Sequence, residues 1–268
     1  FYILIIRIGQ VNLDYAFLRK LESKELVTGI MIFEFFNPGL PKILKVCGAD
    51  FVIYDIEHSG VGIDTIKVMI AAGRELDLYP IVRVPSLEQS SISQFLDAGV
   101  KGIMVPNVKS VKDAKKIVKL AKYRPIGERG IAFNVAHDYY SSGDPVKKIK
   151  QSNKSNILIA MIESVEGVEN CEEILAVDGI DMGWLGHFDL TDSLGILGEF
   201  DNQLFSEKIK KVSQAGKRTN KPLGFLDINQ SMLERFRELG FLAIGYGHEV
   251  LVFQKALKDG IEMIKHLK

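Results

Sequence analysis

The sequence predicts a closed eight-stranded (β/α)8 barrel of the TIM type, a single domain, and three observations carry that prediction. Eight short apolar runs recur at fairly even intervals, segments of helical period lie between them, and no linker or low-complexity tract divides the 268 residues. Strands alternating with helices imply a parallel sheet, and eight is the number that closes it.

The runs are VTGIMIF (27–33), FVIYDI (51–56), YPIVRV (79–84), KGIMVP (101–106), NILIAMIE (156–163), GIDMGWLG (179–186), KPLGFL (221–226) and FLAIGYG (241–247). Continuous hydrophobicity, rather than strict alternation, is what strands covered on both faces require. Between them, SVKDAKKIVKLAKY (110–123) sets Val111, Ala114, Ile117, Val118 and Ala121 on one face and lysines on the other. ESVEGVENCEEILAV and INQSMLERFRELG repeat the pattern, and Gly240 ends the latter as a helix-terminating glycine should. Val250 to Leu267 predicts one closing helix. The stretch 124–155 is long for a connection, and such loops are functional or hold a helix of their own. Its lysine-rich part, Lys147 to Lys154, reads as a solvated helix face, and Trp184 as core. The competing open doubly wound sheet lacks both a GxGxxG and a GxxxxGK[ST] phosphate loop.

Lys plus Arg and Asp plus Glu both number 34, a formal net charge of zero, which offers no electrostatic footprint for nucleic acid or an anionic membrane. The two cysteines, Cys47 and Cys171, sit in helical-looking segments without a CxxC partner. They fit reduced core or half-buried positions better than a disulfide framework or a zinc site. The opening FYILII run is too short to span a bilayer and lacks the basic flank of a signal peptide. The sequence begins with Phe1 rather than Met, as one with its beginning missing would. A soluble cytoplasmic protein is the expectation.

In a parallel barrel the reacting groups sit where strands end. The second strand ends in Asp55, Glu57 and His58, the third at Arg83, the fifth at Glu163, and the sixth leads through Gly186 to Asp189. Asp97 closes the helix after the third strand. Two carboxylates from neighbouring strands, Glu163 and Asp189, suit a hard cation that keeps positions for water and substrate. An arginine beside them suits a carboxylate or enolate oxygen, and a His held by an Asp is the usual proton-transfer unit near neutral pH. Taken singly, each has a plainer reading: Glu163 as a helix-start acid, Asp189 as an N-cap, Arg83 as a strand-end ion pair, His58 as a solvated histidine, Asp97 as a helix end. Glu57 stays outside the catalytic set, and His187 reads as a surface substitution.

Several segments resemble the HpcH/HpaI aldolases, the class II 2-keto acid aldolase family. DFVIYDIEHSG is similar to the family's D-x-x-x-x-D-x-E-H strand, and VRVP, the Tyr123 to Gly130 segment YRPIGERG, MIESVEGVEN, GWLGHFDLTDSLG and KPLGFL follow in the family's order. The resemblance covers roughly residues 27–266. It implies a metal-dependent enzyme that cleaves a 4-hydroxy-2-oxo acid to pyruvate and an aldehyde through an enolate. By resemblance, Glu163 and Asp189 are the ligands of a divalent ion (Mg²⁺, Mn²⁺ or Co²⁺) that chelates the pyruvate portion. Arg83 contacts the keto oxygen, His58 pairs with Asp97 in proton transfer, and Asp55 is a further acid near them. Backbone amides from Gly186 through Phe188 to Asp189 hold the substrate carboxylate. The family also implies a homo-oligomer, hexamer or trimer, with the last helix exchanged between neighbours. Lys101, at the start of a strand, is at the wrong end for Schiff-base chemistry.

This chain departs from the pattern at three places. Met161 stands where the family often has Gln. His187-Phe188 stands in a G-P-[SA]-D-L segment, and Phe188 implies a smaller or differently oriented carboxylate end. Gly247-His248-Glu249 stands where relatives commonly carry Asp. Within the superfamily, a citrate-lyase-like enzyme acting on a CoA thioester is the alternative, although no basic cluster at the strand ends suits CoA phosphates. A non-catalytic keto-acid-binding barrel is the third reading, favoured by these departures.

Overall fold

The computed structural model describes residues 15–267, so the FYILII run lies outside it. In chain order the elements are α1 (Ala16–Glu22), β1 (Val27–Ile32), α2 (Leu40–Val46), β2 (Phe51–Asp55), α3 (Ile63–Gly73), β3 (Tyr79–Arg83), α4 (Gln89–Asp97), β4 (Gly102–Val105) and α5 (Val111–Ala121). They continue with α6 (Pro145–Ser155), β5 (Ile157–Ile162), α7 (Val165–Glu169), α8 (Cys171–Leu175), β6 (Met182–Leu185), α9 (His187–Ser193), α10 (Gln203–Thr219), β7 (Leu223–Asp227), α11 (Gln230–Glu238), β8 (Ala243–His248) and α12 (Glu249–Lys265). The eight strands pair in sequence order, all parallel, and β8 closes on β1.

Strand alternation divides the core in two. Phe51 and Ile53 of β2, Tyr79 and Ile81 of β3, Ile157, Ile159 and Met161 of β5, and Met182 and Trp184 of β6 fill the barrel interior. Their neighbours Val52, Tyr54, Val82, Leu158, Ala160 and Leu185 face the helix layer. α1 closes the N-terminal end of the barrel: Phe17 stacks on Tyr79 at 4.5 Å and meets Phe51 edge-on at 5.6 Å. That leaves the opposite end, where the strands finish, as the open one.

The segment read as one helix after β5 is two short ones, α7 and α8, which meet at Asn170. The long connection 124–155 holds α6, whose residues all keep some exposure, and a 3-10 turn at Ala136–Asp138. Cys171 is buried as expected, whereas Cys47 is exposed, because it caps the C-terminus of α2 at the surface. Among the described residues no helix is long and apolar enough to cross a membrane.

Candidate active site at the C-terminal mouth of the barrel

The inward columns of the barrel do not stop at the last apolar residue. The period-two alternation that puts Phe51 and Ile53 inside puts Asp55 next in the same column. In the same way Tyr79 and Ile81 lead to Arg83, Ile157 to Met161 lead to Glu163, and Met182 and Trp184 lead to Gly186. Three ionisable groups therefore converge at one end because strand geometry aims them there. β2 and β3 pair in register up to Asp55 and Arg83, which brings those two side chains alongside.

Arg83 Nε donates to Asp55 Oδ1 at 2.6 Å and lies 3.3 Å from Glu57 Oε2. Asp55 is fully buried, and its two oxygens also accept from the backbone N–H groups of Glu57 at 3.2 Å and His58 at 2.9 Å. This carboxylate thus fixes both the arginine and the turn that follows β2. Among the described residues the Arg83 Nη groups carry no hydrogen bond and remain as open donors. The Arg83 guanidinium lies 5.7 Å from the centre of the Phe33 ring. Glu57 is held above the ordinary carboxylate range, first by burial and then by Asp55 and Asp189, with Arg83 and His58 opposing. His58, whose side chain is 62% exposed, lies 3.8 Å from Glu57 through Nε2.

Across the mouth, Glu163 is buried and its Oε1 accepts from the Asn107 N–H at 2.6 Å. Asn107 follows β4 in the left-handed region, φ 52°, a conformation asparagine tolerates, and that turn aims its amide at the carboxylate. Burial, and then the facing Asp189 carboxylate, push the Glu163 pKa up to about 7. A Cβ at Gly186 would run into the Glu163 carboxylate and the end of Met161, so glycine there keeps the carboxylate's space open.

A buried carboxylate raised by burial and by a second carboxylate facing it is what a cation relieves. Among the described residues no cluster of three or more His, Cys, Asp or Glu side chains forms a cage for a metal. Glu163 and Asp189 fit instead a divalent ion that takes its remaining oxygen ligands from water and substrate.

The chain as a whole matches a known group. The pattern of the HpcH/HpaI aldolase/citrate lyase family matches residues 30–256. The chain belongs to that family. It is an enzyme, a carbon–carbon lyase of the aldolase kind. It is 34% identical to the 4-hydroxy-2-oxovalerate aldolase of Novosphingobium aromaticivorans, over 82% of this chain and 85% of that one. It is 29% identical to the hydroxypyruvate/pyruvate aldolase of Roseovarius nubinhibens, over 86% and 90% of the two chains. The crystal structure of an HpcH/HpaI aldolase from Desulfitobacterium hafniense superposes with a TM-score of 0.89 at 28% identity, over 94% of this chain and 97% of that one.

Two readings of the sequence change. Asp97 does not meet His58 within the chain. It accepts from Arg129 Nη2 at 2.6 Å, because α4 runs back from the end of β3 and its last residue arrives at the N-terminal end of the barrel. His187 is buried, not a surface residue. Its ring packs against Phe225, 5.0 Å between centres, in the layer outside the strands, and its Nε2 lies 3.5 Å from Asp227 Oδ2 at the end of β7. Burial lowers the His187 pKa to about 4, with Asp227 and Asp189 pulling the other way, so the ring is neutral near pH 7 and ties the start of α9 to β7. Phe188 is 57% exposed on the rim, its ring edge-on to Phe200 at 5.1 Å.

Proposed function

We propose that this enzyme is a divalent-metal-dependent class II aldolase that cleaves a 4-hydroxy-2-oxo acid to pyruvate and an aldehyde. One observation carries the reading: Glu163, its carboxyl raised by burial and by the facing Asp189, shares the barrel mouth with that second carboxylate and with an arginine whose outer donors are open. A cation held by the carboxylates would act as a Lewis acid on the keto group. The names of the aldolase relatives support the same substrate class.

In the cleavage, the C4 hydroxyl loses its proton, the C3–C4 bond breaks to release the aldehyde, and its electron pair passes into the enolate of pyruvate, which is then protonated at C3. Arg83 supplies fixed donors to the oxygen on which charge develops, and Asp55 keeps that guanidinium from moving. His58 and Glu57 are the adjacent groups able to take and return a proton. The first backbone amides of α9, from His187 to Asp189, have no helical partner and are available to the substrate carboxylate. Phe188 bounds that side. The apolar residues exposed along α12, Phe253, Leu257, Ile261 and Ile264 among them, support a homo-oligomer joined through its last helix.

The test is pyruvate formation from 4-hydroxy-2-oxo acids of increasing length, with EDTA-stripped protein and after adding Mg²⁺, Mn²⁺ or Co²⁺. Cleavage restored by metal, and absent in Glu163→Ala and Arg83→Ala, is expected. Cleavage that survives EDTA, or the loss of Glu163, rejects the proposal.

A further inference from the structure

The end of β8 places a histidine in the mouth that the chemistry above does not use. Ala243 faces the barrel interior, and simple alternation would bring Gly245 and then residue 247 inward. The pairing with β1 shows otherwise: Gly29 stands opposite Gly245, but Met31 stands opposite His248, a shift of one residue. Gly247 absorbs the shift with φ 55°, a left-handed conformation that favours glycine. Neighbouring residues in register share a face, and Met31 belongs to the interior. The bulge at Gly247 therefore turns His248 inward.

The ring is firmly held. It meets Phe33 edge-on, 4.8 Å between centres, and Phe33 is the same ring that lies under the Arg83 guanidinium. The next residue, Glu249, is buried and accepts from the backbone N–H groups of Phe33 at 3.0 Å, Glu34 at 2.6 Å and Phe35 at 3.0 Å, which locks the loop after β1 to the end of β8. Within this frame His248 Nδ1 is enclosed and has no hydrogen-bond partner among the described residues. A proton on Nδ1 would be a buried donor with no acceptor, which costs free energy. The favoured tautomer therefore carries its proton on Nε2, the nitrogen of this half-buried ring that is not enclosed.

We propose that His248 is a specificity residue for the aldehyde half of the substrate, its Nε2–H donating to a hydroxyl group carried beside the reacting carbonyl. Arg83 and the carboxylate pair engage the pyruvate half, and His248 reaches the mouth from the far side of Phe33. A fixed donor of this kind discriminates strongly against an analogue in which the hydroxyl is a methyl group, because the imidazole is then left unpaired. The assignment rests on the aldolase reading.

The experiment is condensation of pyruvate with glycolaldehyde or propanal, which differ by a hydroxyl in place of a methyl. The ratio of kcat/KM for the two aldehydes is compared in the wild type, His248→Leu and His248→Gln, so that intrinsic aldehyde reactivity cancels. The expected result is a ratio about tenfold lower in His248→Leu, the loss of one hydrogen bond, and most of it kept in His248→Gln, which retains a donor. Thermal melting of each variant checks the fold. An unchanged ratio in a folded His248→Leu overturns the assignment, as does an equal fall in His248→Gln. Deuterium exchange into the pyruvate methyl group of the metal-loaded wild type separates the two failures. Exchange with an unchanged ratio removes His248 alone, whereas no exchange and no condensation removes the aldolase reading and this assignment with it.

Discussion

Replacing Glu163 by glutamine is expected to stabilise the metal-free protein while abolishing its chemistry. Burial and Asp189 raise the Glu163 pKa from 4.5 to about 7. A carboxyl that holds its proton more tightly in the folded state favours folding fully below pH 4.5, and that contribution is lost as pH rises through about 7. The interval is worth about 3 kcal/mol once the group is fully ionised, at about 1.4 kcal/mol per pH unit. Glutamine has the same shape, keeps an oxygen for the Asn107 N–H now bonded at 2.6 Å, and faces Asp189 with an amide instead of a second negative charge. Urea unfolding of EDTA-stripped protein measures the effect. The two proteins should be nearly equal at about pH 5, and the variant more stable by about 1–3 kcal/mol at about pH 8. Excess Mg²⁺ should then stabilise only the wild type, since only a protein that binds the ion gains from it. A gap of the same size at both pH values, or a variant less stable than wild type at the higher one, would refute the claim that an unrelieved carboxylate pair sits at the mouth.

Arg83→Ala leaves the fully buried Asp55 without its 2.6 Å partner and should cost about 3 kcal/mol in urea unfolding; adding Asp55→Asn should recover part of that loss. Asp97→Asn withdraws the charge that faces Arg129, whose side chain is 0% exposed, and should destabilise by about 2–3 kcal/mol. Lost cleavage with unchanged stability would instead place Asp97 in the reaction. Gly186→Ala drives a methyl group into the Glu163 carboxylate, so cleavage should fall about 100-fold in steady-state assays while the melting temperature shows that the barrel persists.

Asp55, Arg83 and Glu163 were legible in the sequence because strand geometry is local. A residue two positions beyond an inward apolar side chain also points inward, so the polar end of each run marks the mouth. Asp189 could be placed as soon as the sixth run was read as a strand leading into a helix. Glu57 was visible beside His58, yet nothing local showed that it reaches the Nε of Arg83 on the next strand.

The residues that sequence reasoning misplaced or missed depend on distances between elements. Asp97 is 14 positions from Arg83, but a helix lies between them and carries Asp97 to the opposite end of the barrel, where it meets Arg129. His187 looked like a surface substitution because its partner, Asp227, comes from β7, 40 positions later. Asn107 counts only through a backbone amide that its left-handed turn aims at Glu163. The inward turn of His248 needs both the positive φ of Gly247 and the register of β1 against β8. The eight apolar runs, the helical periods between them and the polar ends of the runs by themselves determined the eight strands, the closed barrel and the end that holds the chemistry, because each is a property of neighbours in the chain. Only the tertiary structure decided which charges neutralise one another and which are left for a cation or substrate, because Coulomb and hydrogen-bond energies depend on separations of a few ångströms between residues far apart in sequence.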